Sequence, residues 1–146
     1  MNTHTLPLVK YLRVISDLHL DGKRTWLPEE MDTDKETLLL VAGDVADTEA
    51  FDYAGYLSFF SKMDQRFAKV IYVPGNHEHC GTKFPNFIVT MKEYFHNTFG
   101  NRVLILDNEL TEVITEDRTL LIAGTTLWTS FCNDNPLVTI AAARMV

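Results

Sequence analysis

Long apolar runs are missing from this sequence: no stretch of about 18 apolar residues occurs, so none is of the kind that spans a bilayer. Basic charge is also scarce. Thirteen Lys and Arg face twenty Asp and Glu for a formal charge of −7, with no basic stripe, which disfavours a nucleic acid polymer as partner. Only two cysteines occur, Cys80 and Cys132, and their spacing builds no disulfide framework, so they read as free thiols in a reducing compartment. The start, Met1-Asn2-Thr3-His4-Thr5, lacks the basic residues and long apolar stretch of a signal peptide. These absences together predict a soluble, cytoplasmic chain with no membrane partner.

What is present is the balance of a globular domain, 46% apolar and 23% charged over 146 residues, enough for one core and too little for two. The apolar run Leu38-Leu39-Leu40-Val41-Ala42 reads as a buried strand that delivers Gly43-Asp44-Val45-Ala46-Asp47 at its end. A strand over residues 11–16 leads into Asp17-Leu18-His19, and one from Lys69 to Val73 leads through Pro74 into Gly75-Asn76-His77-Glu78. Between them, Phe51, Ala54, Tyr56, Leu57, Phe59, Phe60, Met63 and Phe67 recur at helical spacing, with Asp47 or Thr48 as N-cap and Glu49 suited to the positive dipole end.

A second helix is expected from Pro85 to Thr98, placing Phe87, Ile88, Met91, Tyr94 and Phe95 on one face and stopping at Gly100. Short strands follow at 103–106, 110–115 and 119–123, the last two as a hairpin about Glu116-Asp117-Arg118. Asn133-Asp134-Asn135-Pro136 looks like another helix start. The acidic stretch Glu29-Glu30-Met31-Asp32-Thr33-Asp34 reads as a solvated face, and His79 as a solvated loop histidine. Alternating strands and helices predict an α/β fold with a mostly parallel sheet.

Three strands that each end in carboxylate, imidazole or carboxamide predict a site outside their carboxyl ends. Asp17 and His19, two residues apart, would point to one side of extended backbone and converge on one cation. Asp44 offers one oxygen to each of two cations and Asn76 a carboxamide oxygen. Such a donor set suits Mn, Fe, Zn or Mg. Two cations roughly 3.5–4 Å apart are a common arrangement for phosphoryl hydrolysis. Taken singly, each cluster is an ordinary turn or cap; in register after three strands, they indicate a metal site.

The three blocks resemble the signature of the calcineurin-like metallophosphoesterase family, D-x-H, then G-D-x-x-D, then G-N-H-[DE], over about residues 11 to 130. The resemblance implies the N-terminal part of a four-layer α/β/β/α sandwich, as a single domain cut short at its C-terminus. It implies Asp17 and His19 at a first metal, Asp44 as the bridge and Asn76 at a second, with Mn foremost among the divalent or trivalent ions. His77 would be the catalytic acid, and Asp47 and Glu78 would orient the ligands. The implied reaction is attack of a metal-bound hydroxide on a phosphate mono- or diester. The Thr125-Leu127-Trp128 loop resembles a segment near the substrate mouth. The family's later blocks, a lone His and a G-H-x-H pair, have no counterpart, since the five histidines all precede Val103. The second reading is therefore a catalytically incomplete remnant, a binding or scaffold module, with self-association through uncovered apolar surface.

Overall fold

The computed structural model describes residues 8–20, 26–47, 53–79, 86–128 and 135–137. Its centre is the apolar run foreseen as a buried strand, now β2 (Thr37–Ala42), flanked on one side by β1 (Tyr11–Ile15) and on the other by β3 (Lys69–Val73). A short β4 (Val103–Ile105) completes a four-stranded sheet of order β1-β2-β3-β4, parallel throughout. Tyr11 pairs with Thr37 and Ile15 with Val41; Leu38 pairs with Lys69 and Ala42 with Val73. These registers bring the carboxyl ends of β1, β2 and β3 to one edge.

Alternation along the strands sorts the apolar side chains onto two faces. Leu39, Val41, Val70, Tyr72, Val103 and Ile105 pack beneath α1 (Tyr53–Arg66) and α2 (Asn86–Phe99). Helix α1 contributes Tyr56, Phe59, Phe60 and Met63, spaced to form one apolar stripe, and α2 contributes Phe87, Ile88, Met91 and Phe95. Phe60 sits at the crossing, with ring centroids 4.8 Å from Tyr72 and 4.9 Å from Phe95. Burying each such side chain stabilises the fold by about 1.5–3 kcal/mol.

The other face carries Leu38, Leu40, Ile71, Val73, Leu104 and Leu106 against an antiparallel hairpin, β5 (Glu109–Ile114) and β6 (Thr119–Gly124). Gly124 allows the close docking, because a Cβ there would lie 2.3 Å from Leu106 Cβ and 2.8 Å from Val73 Cγ2. The architecture is thus helices, parallel sheet and hairpin in three layers, the mixed α/β arrangement expected. Among the described residues, element bounds agree with the expected ones within two residues; the expected start of α1 lies outside them. Asn135 Oδ1 accepts the Leu137 N–H (3.0 Å), so Asn135 caps the helical turn that opens at Pro136. Among the described residues, no helix is long and apolar enough to cross a membrane.

Several local expectations are corrected. Asp34 is not a solvated acid: it is 5% exposed and takes Arg66 Nε on Oδ2 (2.5 Å), with Arg13 3.8 Å from Oδ1. Arg66 also donates to the Pro28 and Glu29 carbonyls, so it ties the loop before β2 to the end of α1. Tyr94 is exposed rather than on the buried stripe of α2. The residues between Asp47 and Tyr53, where the cap of α1 was expected, lie outside the described ones; the Asp47 carboxylate is engaged at the site described next. Thr48, Glu49, Phe51, Cys80, Pro85 and Cys132, with the Asn133-Asp134 pair, lie outside the described residues.

Candidate metal centre

The loop after β1 runs alongside the loop after β2 and is laddered to it. Asp17 N–H donates to the Gly43 carbonyl (3.1 Å), His19 N–H to that of Asp44 (3.1 Å) and Leu20 N–H to that of Val45 (2.8 Å). Asp17, His19 and Asp44 have φ of +55°, +43° and +54°. The expected extended backbone at Asp17 and His19 is therefore replaced by left-handed turns, which L-residues adopt at a cost of about 1–3 kcal/mol each. Of the four positive-φ non-glycine residues described, three belong to the motifs.

The loops after β2 and β3 meet through two glycines. A Cβ on Gly43 would lie 2.9 Å from Gly75 Cα, and one on Gly75 would lie 2.0 Å from Asp44 Oδ1 and 2.7 Å from Asp44 N. Only bare backbone at Gly75 leaves room for the Asp44 carboxylate. His77 N–H then donates to Asp44 Oδ1 (3.2 Å) and holds that carboxylate across the gap.

Glu78 supports this junction from below. It is fully buried, its Oε1 accepts Val45 N–H (2.6 Å), and its Oε2 accepts Asp44 N–H (3.1 Å) and Gly75 N–H (2.7 Å). One side chain thus satisfies three backbone donors from two loops, as a buried carboxylate requires. Burial pushes the Glu78 pKa up, while the Tyr72 hydroxyl and those N–H groups pull the other way. Burial, reinforced by the Glu78 charge, likewise raises the Tyr72 pKa.

Above the junction, ligand atoms of His19, Asp44 and His77 all lie within 4.8 Å of one another. The His19 and His77 rings meet edge to face, with centroids 4.7 Å apart. Asp47 Oδ1 lies 2.5 Å from His77 Nδ1, which leaves Nε2 as the ring nitrogen open to ligand or proton. That Asp47 hydrogen bond raises the His77 pKa against the opposing effect of burial, with further support from the charges of Asp44, Asp47 and Glu78.

The structure therefore gathers His19, Asp44, His77, Asp47 and Glu78 of the sequence candidates. Asp17 stands on the same loop outside the close group, and Asn76 is an exposed residue beside it whose carbonyl accepts His79 N–H (3.1 Å). His79 itself is half-buried, with its ring 5.3 Å from Trp128, and burial lowers its pKa. Two contacts had no sequence signal beyond the glycines and the Thr pair themselves: Gly75 against Asp44, and the Thr126 hydroxyl donating to the Pro74 carbonyl.

A family model described as calcineurin-like phosphoesterase matches residues 12–138. The chain belongs to that family. No curated protein matches it. Among solved structures, phosphopantetheinyl hydrolase (PptH) from Mycobacterium tuberculosis is similar at a TM-score of 0.55 and 23% identity, over 80% of this chain. The match spans 42% of that chain, and at this identity it speaks for the fold alone. The donors gathered here, two imidazoles and a carboxylate, are of the kind that hold a divalent cation. Imidazole and carboxylate on a partly buried, backbone-braced shelf suit a borderline divalent cation better than a soft one.

Proposed function

We propose that this calcineurin-like phosphoesterase hydrolyses a phosphate mono- or diester at a dinuclear centre, with manganese the foremost metal. Asp17 and His19 would hold one ion, Asn76 the other, and Asp44 both. When bound, such ions supply Lewis-acid activation of water and neutralise charge building on phosphorus. The observation that carries the reading is the close group of His19, Asp44 and His77, with Asp47 locked onto the far side of the His77 ring.

The chain's own residues divide the remaining work. His77, with Nδ1 fixed by Asp47 and its pKa raised, keeps a proton on Nε2 at higher pH than an ordinary imidazole. It delivers that proton to the leaving oxygen as the ester P–O bond breaks. Glu78 and Gly75 orient Asp44 by holding the backbone on both sides of it, a role that in outer-shell groups is worth about 10–100-fold.

The test is turnover of p-nitrophenyl phosphate and bis-p-nitrophenyl phosphate with Mn²⁺. Asp44→Asn removes the shared charge and is expected to lower the rate by at least about a hundredfold, beyond the usual loss for an outer-shell partner. A variant within a few-fold of the parent contradicts the mechanism. The second reading, a binding or scaffold module, draws on the exposed apolar residues Leu110, Ile114 and Leu121 on the hairpin's outer face. Metal retention with no turnover of either ester favours it.

A further inference from the structure

Against His79, two residues on from His77, stands an aromatic residue that the proposed chemistry does not use. The segment after β6 is pinned at two points, with Thr125 Oγ1 donating to Asn108 Oδ1 (2.6 Å) and the Thr126 hydroxyl to the Pro74 carbonyl, and it turns back on itself where Trp128 N–H donates to the Thr126 carbonyl (2.9 Å). Pro74 directly precedes Gly75, whose backbone touches the Asp44 carboxylate. The Trp128 ring lies 5.3 Å from that of His79, the last residue of the short turn that begins at His77. The indole is nonetheless 51% exposed, and neighbouring Leu127 is 88% exposed.

A single exposed apolar side chain needs no explanation. Here an indole and an aliphatic residue share one segment, tied by a hydrogen bond to Pro74, between β3 and Gly75, and by a ring contact to the turn that carries His77. Fixing a flat apolar face in place lowers the ordering cost of stacking something against it. Asp107, whose charge is felt at His79, and the net charge of −7 disfavour a second anionic group at that end.

We propose that Trp128 is a specificity-determining residue, a stacking platform for the flat aromatic group of a singly phosphorylated ester of nucleotide type. The inference rests on the phosphoesterase reading of the centre beside it. The phosphate would sit at His19, Asp44 and His77 while a nucleobase-sized ring lies on the indole.

The test is isothermal titration of the Mn²⁺-loaded full chain with adenosine 5′-monophosphate and with ribose 5-phosphate, which differ in the base. The monophosphate is expected to bind about tenfold tighter, within the usual range for one base stacked on an aromatic ring. Trp128→Ala should erase that difference and leave ribose 5-phosphate unchanged; Trp128→Phe should retain most of it. Equal, Mn²⁺-dependent affinity for both compounds overturns the platform and leaves the phosphoesterase reading standing. A Trp128→Ala variant that weakens both alike also overturns it, since the effect is then on the fold. Binding of neither compound, or of the monophosphate alone without regard to Mn²⁺, also overturns the platform, while turnover of the p-nitrophenyl esters decides the phosphoesterase reading separately.

Discussion

At the residue scale, the centre depends on what two small positions leave out and what one buried acid supplies. Gly75→Ala would drive a Cβ into Asp44 Oδ1, 2.0 Å away, with Asp44 backbone 2.7 Å behind it. It is expected to cost about 1–3 kcal/mol, as overpacking does, and to abolish the rise in melting temperature expected of the parent with Mn²⁺. Thermal melts of both proteins with and without Mn²⁺ check it. Asp47 sets the proton on His77. Because its hydrogen bond raises the folded-state pKa, the pair stabilises the metal-free protein fully below the ordinary imidazole value of 6.5. That stabilisation fades as pH rises through the raised value. Asp47→Asn should bring the His77 titration down and flatten stability against pH over that window; NMR titration of the ring and denaturation at several pH values report both. The motif residues themselves were legible because chemistry restricts them to few types. Their left-handed backbone at Asp17, His19 and Asp44 was not, since it is imposed by a ladder to residues far along the chain.

At the element scale, strands and helices follow from period alone; of the expected stripe from Phe51 to Phe67 the part from Tyr56 on packs, while Ala54 is exposed and Phe51 lies outside the described residues. The local reading failed at two positions. Tyr94 shares helical spacing with Phe87 and Met91, yet stays outside the packed stripe. Asp34 sits in an acidic run that any local reading calls solvated, and Arg66, 32 residues on, buries it. Arg66→Ala strands that carboxylate and is expected to destabilise the protein by about 3 kcal/mol, the low end for breaking a buried pair. Adding Asp34→Asn should recover part of the loss. Urea denaturation of the single and double variants measures it, and equal stability of parent and single variant contradicts the tie.

At the scale of the whole molecule, three layers bring three strand ends to one edge, and the sequence order of the three motifs becomes one cluster in space. The parallel sheet was legible from alternating strands and helices. The hairpin's docking on the opposite face turned on Gly124, whose missing side chain admits Leu106 and Val73. The proposed dinuclear centre would place two divalent ions at this edge. Elemental analysis of desalted protein after Mn²⁺ loading, beside the Asp44→Asn variant, counts them. Two manganese ions are expected per parent chain, with a clear loss in the variant. One manganese ion per parent chain, or none, would count against a dinuclear centre.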